Sequence, residues 1–317
     1  MLAWFPLTGK PLFRLFVRGV FEFMPTTTAY QRELDLTREI AREAGQIILT
    51  HYDTDYAIQM KAGQEPVTIA DKTSSQYIVS ALEKAFPKDL VVSEESSLPS
   101  GLESHSRIWI IDPMDGTKEF INHNGEFSVM IGMIEEGRPV VGVVYQPVTG
   151  YMYWAAKGQG SYSRRDQQIQ SMQTSVNTDF AKIKIAASRS HLTDELLEIY
   201  QALGIQEIIR SGSVGLKLAM IARQTCDIYL NLSGMTSCWD TCAPEIILTE
   251  AGGQVTNLSG EPLDYSFRQL KNSDGVVASN GVVHAQLLEK IQTILEGHYQ
   301  AEIASVDAEE GDEDLAP

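Results

Sequence analysis

The stretch Trp109-Ile110-Ile111-Asp112-Pro113-Met114-Asp115-Gly116-Thr117-Lys118-Glu119-Phe120 decides how this chain folds. Trp109, Ile110 and Ile111 form a short apolar run, which predicts the end of a buried strand. Pro113 has no N–H to donate and is expected to end the strand pairing. Asp115-Gly116 supplies turn chemistry. Two carboxylates three residues apart are thus expected on one tight turn at a sheet edge. They repel each other unless a cation sits between them, and hard oxygen donors with room for water suit Mg²⁺. Taken alone, a D-P-x-D-G string is equally consistent with an ordinary Asp-rich turn.

Two further stretches bear on that choice. Val91-Val92-Ser93-Glu94-Glu95-Ser96 is another apolar strand ending in carboxylates. In Cys238-Trp239-Asp240-Thr241-Cys242-Ala243-Pro244-Glu245, Asp240 precedes an apolar-periodic helix. Singly, Glu94 reads as a solvated strand end, and Asp240 and Asp71 as helix N-caps. Together these acids stand at the ends of regular elements, and none lies in a charge run.

The three motifs in this order resemble the inositol monophosphatase superfamily of Mg²⁺-dependent, lithium-sensitive phosphatases. The resemblance spans roughly residues 30 to 297. Asp115-Gly-Thr-Lys118-Glu-Phe120, then Asn124-Gly-Glu-Phe127, is similar to its 3′(2′),5′-bisphosphate nucleotidase branch, as are Ala187-Ser-Arg-Ser-His191 and the Trp-Asp-Thr-Cys-Ala-Pro-Glu string. Two departures stand out. Gly212-Ser-Val-Gly-Leu-Lys217 replaces a Gly-Ser-Ser-Leu-Lys-like string, and Ala243-Pro244 stands where Ala-Gly is common.

The resemblance implies a layered α-β-α-β-α sandwich, with an antiparallel N-terminal sheet and a smaller C-terminal α/β domain. It implies two or three Mg²⁺ ions. One is held by Glu94, Asp112 and the Met114 carbonyl, a second by Asp112, Asp115 and Asp240, and a weaker third lies near Glu94. Asp71 and Thr117 are implied to activate water. Paired metals roughly 3.5–4 Å apart acidify water and stabilise a leaving oxygen, so no covalent nucleophile is needed. Gly116, Thr117, Lys118, Ser190, His191, Ser213, Lys217 and Asp240 are the candidate substrate contacts. The implied reaction removes the 3′-phosphate of adenosine 3′,5′-bisphosphate. An inositol- or sugar-phosphate phosphatase, and a non-catalytic metal- or anion-binding regulator, are the alternatives. Sulfur assimilation is the implied setting.

The formal net charge is −17, of which the segment Glu302 to Asp314 contributes seven acids and no base. An acidic chain repels nucleic-acid polymers, which leaves a small anionic substrate screened by metal. The cysteines are Cys226, Cys238 and Cys242, too few for a disulfide framework, and they predict a cytoplasmic chain with packing thiols. Residues 1–24 mix Leu, Phe and Val with Lys10, Arg14 and Arg18. They are too interrupted to span a membrane and read either as an interfacial amphipathic segment or as an extension upstream of a start at Met24. A monomer or homodimer is expected, without membrane association.

The expected domains are an extension over 1–29, an N-terminal α+β metal-binding domain over 30–165, a C-terminal α/β domain over 170–298 and an acidic disordered tail over 301–317. In the first, a helix over 34–52 and a second running to Phe86 precede strands at 90–93, 108–111, 127–134, 140–145 and 151–155, with helices on one face. Residues 157–180 are polar and predict a surface loop at the domain boundary. The second half alternates strand and helix, which implies an α/β domain.

Overall fold

Ile108 and Ile110 share one apolar cluster, while Trp109 and Ile111 share another. Period-2 alternation of this kind means a strand buried on both faces. The computed structural model describes residues 29–54, 58–60 and 66–297. The expectations for residues 1–24 and 301–317 lie outside the described residues.

The chain opens with α1 (Gln31–Tyr52), the short pair β1 (Gln59–Met60) and β2 (Pro66–Val67), and α2 (Ile69–Ala85). There follow β3 (Leu90–Ser93), β4 (Arg107–Asp115), α3 (Thr117–Ile121), β5 (Ser128–Glu135), β6 (Arg138–Gln146), β7 (Tyr151–Ala156), β8 (Ser161–Arg165) and β9 (Gln168–Met172). The second half holds β10 (Lys184–Ser188), α4 (Asp194–Ala202), β11 (Glu207–Ser211), α5 (Val214–Ala222), β12 (Ile228–Asn231), α6 (Cys238–Glu250), β13 (Gln254–Thr256) and β14 (Val276–Ser279). A last helix, α7, covers residues 284–297.

Strands β3 to β9 form one seven-stranded sheet in sequence order, antiparallel except for the parallel pair β3–β4. The second sheet has five strands in the order β11-β10-β12-β14-β13 and is mixed. Three apolar clusters define the layers. One joins α1 and α2 to the first sheet through Leu34, Ile48, Ile78, Trp109 and Val143. The middle one joins both sheets to α5 and α6 through Ile110, Met130, Leu218, Ile247 and Ala278. The last joins the second sheet to α4 and α7 through Ile185, Tyr200, Val277 and Leu287. The order is helix, sheet, helix, sheet, helix.

Three local expectations change. Helices cover both faces of the first sheet, because α5 and α6 arrive from the second half to cover the face that α1 and α2 leave. The polar stretch after Ala156 is a hairpin, β8–β9, which extends the sheet edge. Its strands carry Ser161, Ser163, Gln168 and Gln170, so composition hid the pairing. Pro113 does not end β4 either. Pairing with β5 runs to Asp112↔Met130, skips Pro113 and Met114, and resumes at Asp115↔Ser128. A bulge absorbs the missing donor and bends the strand where the acids sit. Among the described residues, no helix is long and apolar enough to cross a membrane.

Two glycines seat α6. Gly132 and Gly142 are cross-strand partners on β5 and β6. A Cβ on Gly132 would lie 2.5 Å from Cys242 Sγ, and one on Gly142 would lie 2.3 Å from the Ala243 carbonyl oxygen. Only bare backbone lets the helix lie this close.

Candidate active site

Asp71 and Asp240 occupy the same local device on different helices. Neither is an N-cap. Thr68 and Ser237 are the caps, and each acid stands at the third helical position, completing a capping box. Asp71 Oδ2 accepts from Thr68 N and from Thr68 Oγ1, both at 2.7 Å. Its other oxygen, Oδ1, accepts from Thr117 Oγ1 at 3.0 Å. Asp240 Oδ2 accepts from Ser237 N at 2.5 Å. The strings Thr68-x-x-Asp71 and Ser237-x-x-Asp240 were the available signal for both boxes. Because α6 begins at Cys238, Pro244 lies beyond its first turn, and the Asp240 carbonyl has no N–H four residues on.

Asp112 and Asp115 flank the β4 bulge. Asp112 Oδ1 accepts from Met114 N at 2.9 Å, and Ser74 of α2 donates to the Pro113 carbonyl at 3.1 Å. The bulge is therefore pinned from both sides. Gly116 follows at φ +101°, and a Cβ there would also press on the Glu126 carbonyl at 3.1 Å, so glycine is required. The turn delivers Thr117 to Asp71 and leaves Thr117 Oγ1 3.5 Å from the Met114 carbonyl.

One carboxylate oxygen from each of Asp112, Asp115 and Asp240 lies within 4.8 Å of the others. Burial, then the Glu94 charge, pushes the Asp112 carboxyl well above the usual carboxylate range. Asp240 is raised by burial, then by Asp115 and Glu94. Glu94 follows β3 directly, its N–H donating to the Ile111 carbonyl at 3.1 Å. Asp115 is raised by burial, offset first by Lys217 and then by hydrogen bonds from Ser213 Oγ and Gly215 N. Four acids packed in this way resist ionising together unless a cation compensates them. All donors are hard oxygens, brought together from three stretches of chain, and this set fits Mg²⁺ and not a soft metal. The cysteines are all unpaired and buried, and Cys242 packs against Gly132.

The remaining candidates fall in two groups. Lys118 Nζ lies 2.8 Å from His191 Nε2, and Ser190 Oγ donates to Glu119 Oε1 at 2.6 Å. These four face each other where α3 meets the loop after β10. Ser213 and Lys217 instead sit behind Asp115. Ser213 caps α5, and Lys217, 1% exposed, directs its ammonium at the carbonyls of Ser211 and Gly212. Burial lowers its pKa, and the nearby Asp115 opposes that shift. Sequence reasoning overlooked Glu119, Glu126 and Arg189, which tie this region together. All three lie within motifs quoted above, and nothing in those strings pairs Arg189 with Glu126 or Ser190 with Glu119.

Residues 30–296 match the model of the inositol monophosphatase family. The chain belongs to that family. A Salmonella typhimurium protein named 3′(2′),5′-bisphosphate nucleotidase CysQ is 38% identical over 245 residues, covering 74% of this chain and 95% of that one. The crystal structure of CysQ from Bacteroides thetaiotaomicron, a bacterial member of the same family, aligns with a TM-score of 0.68 at 31% identity, over 80% of this chain and 98% of the other. An inositol monophosphatase from Anabaena aligns with a TM-score of 0.69 at 28% identity, over 84% and 97%. In this family member the bulge acids and Thr117, from one stretch of chain, meet the two capping-box acids from two others.

Proposed function

We propose that this chain is a Mg²⁺-dependent 3′(2′),5′-bisphosphate nucleotidase that hydrolyses adenosine 3′,5′-bisphosphate to AMP and phosphate. The observation that carries the hydrolytic reading is the Thr117–Asp71 hydrogen bond, set beside the Asp112, Asp115 and Asp240 cluster. The CysQ relatives support the substrate. A non-catalytic regulator would have no use for a hydroxyl tied to a buried carboxylate beside a metal site.

Glu94, Asp112, Asp115, Asp240 and the Met114 carbonyl would hold two or three Mg²⁺ ions, which when bound acidify water and offset charge on the leaving oxygen. The protein's own part is positioning and proton transfer. Thr117 donates to Asp71, so its oxygen lone pairs are left to accept from a water. As that water attacks phosphorus, its proton passes to Thr117 Oγ1 while the Thr117 proton passes to Asp71. The phosphorus–O3′ bond breaks, and the 3′ oxygen takes a proton from solvent. Burial raises the Asp71 pKa, which makes it a better base than an exposed carboxylate. Gly116 and Thr117 N–H groups are the proposed donors to the transferred phosphate. Lys118, Ser190 and His191 are the proposed contacts to the rest of the substrate. Lys217 reaches a ligand only by exchanging the Ser211 and Gly212 carbonyls for it, and Ser213 acts through Asp115.

A phosphate-release assay tests this reading, with adenosine 3′,5′-bisphosphate, adenosine 3′-phosphate and inositol 1-phosphate as substrates, with Mg²⁺ or with chelator. The expected specificity constant for the bisphosphate exceeds that for inositol 1-phosphate by about a hundredfold, the work of one or two charge-assisted hydrogen bonds. Equal turnover of both would return the assignment to an inositol- or sugar-phosphate phosphatase. A cytoplasmic role in sulfur assimilation, and lithium sensitivity, are part of the same proposal.

A further inference from the structure

Three consecutive residues of the second half each hold a different residue of the segment from Lys118 to Glu126. Arg189 Nε and Nη2 donate to Glu126 Oε2 and Oε1 at 2.6 and 2.5 Å, and Nη2 also donates to the Arg210 carbonyl at 3.1 Å. Ser190 Oγ donates to Glu119 Oε1 at 2.6 Å, and His191 Nε2 faces Lys118 Nζ at 2.8 Å. The backbone joins the same two segments. The Glu126 carbonyl accepts from Ser213 N at 3.1 Å, and Asn124 Oδ1 accepts from Glu126 N at 3.0 Å. A Cβ on Gly212 would meet Glu119 Cγ at 2.3 Å and the Glu126 carbonyl at 2.6 Å. The segments therefore touch without a gap, and Asn124-Gly125-Glu126-Phe127 is the strut between them.

We infer that Glu126 and Arg189 are positioning residues that fix the Ser190–His191 loop opposite Lys118 and so set the preference for a substrate bearing a second phosphate. This rests on the nucleotidase reading above. A simple phosphomonoester is served by the acid cluster, Thr117 and Asp71, none of which touches the 188–191 loop through the bonds just described. A bisphosphate carries a second dianion beyond that cluster. Lys118 spends one of its three N–H donors on His191 and keeps the others for an anion. The other ring nitrogen of His191, Nδ1, lies 3.3 Å from Ser188 Oγ. The Glu126–Arg189 pair is partly exposed, and exposed ion pairs contribute little to stability. Its two parallel bonds fix an orientation instead, which a lysine cannot reproduce.

Arg189→Ala and Arg189→Lys test this in the full chain with Mg²⁺. In Arg189→Ala the KM for adenosine 3′,5′-bisphosphate is expected to rise about tenfold with kcat within twofold, while both constants for inositol 1-phosphate stay within twofold. Arg189→Lys is expected to fall between wild type and Arg189→Ala. Equal losses on both substrates, or no change on either, would overturn the inference. Hydrogen exchange at the amides of residues 188–192 is a readout independent of turnover. Faster exchange in Arg189→Ala than in wild type is expected, and unchanged exchange would overturn the clasp. Should wild type fail to hydrolyse the bisphosphate, the nucleotidase reading falls, and the exchange measurement still decides whether Arg189 holds the loop.

Discussion

Thr117 Oγ1 and Asp71 Oδ1, 46 positions apart in the chain, are hydrogen-bonded at 3.0 Å. The bond joins the first turn of α2 to the turn after β4. Both partners are fixed independently of it: Asp71 by its capping box, Thr117 by Gly116 and the bulge. Asp71 Oδ1 is the nearer acceptor for the hydroxyl hydrogen, at 3.0 Å against 3.5 Å for the Met114 carbonyl.

Thr117→Ala and Asp71→Asn are each expected to lower kcat at least about a hundredfold, the usual scale for a positioned proton-transfer group. KM should move less than threefold. The two losses should not add in the double variant, because each removes the same relay. Steady-state kinetics on the four proteins of the cycle checks this, and additive losses would separate the residues.

Asp112→Asn is expected to abolish turnover and yet stabilise the metal-free protein. Asn keeps an oxygen for the Met114 N–H and removes one charge from a buried, crowded set. Thermal unfolding with and without Mg²⁺ reads both effects. The variant should melt higher than wild type in chelator and should lose the Mg²⁺-dependent rise that wild type shows. A variant that melted lower in chelator would mean that Asp112 is not destabilised by its neighbours.

Gly142→Ala should act on stability and activity together. The added methyl group meets the backbone of α6, so the helix must lift from the sheet, and overpacking of this kind costs about 1–3 kcal/mol. Asp240 rides on that helix and moves with it. A lowered urea midpoint with a reduced kcat is the expected pair of results. Loss of stability alone would show that the first turn of α6 does not follow its middle.

His284 makes acid stability testable away from the site. Its ring is buried between Ser279 Oγ and Thr256 Oγ1, each at 2.9 Å, and burial pushes its pKa down to about 4. The folded-state value lies below the unfolded one, so on acidification the unfolded chain takes up the proton first. The stabilisation is complete above about pH 6.5 and is lost as pH falls toward 4. Denaturant midpoints from pH 7.5 to 4.5 should fall for wild type and fall less steeply for His284→Gln.

The acids at Asp112, Asp115 and Glu94 were legible because apolar runs stopping at carboxylates are local signals, although β4 carries on through a bulge past Asp112. The layer order came from the family resemblance and matches what the three apolar clusters define. The β8–β9 hairpin was not legible, since polar edge strands lack the alternation that betrays a half-buried one. The start of α6 was read as following Asp240, with Asp240 its N-cap, whereas Ser237 is the cap and Asp240 stands inside the first turn. Glu119, Glu126 and Arg189 could not be paired from sequence, because their bonds cross between segments more than sixty positions apart.

The inward face of the seven-stranded sheet, with Ile108, Ile110, Met130 and Val144, is covered by helices that the chain supplies only after Ser213. While the ribosome is still making the second half, that face has emerged without its cover. A nascent chain in this state presents a broad sticky plane to every neighbour until α6 is made, the condition in which partly made chains are prone to aggregate. A fragment ending near residue 165 would stay in that condition permanently, and would aggregate with its carboxylates intact.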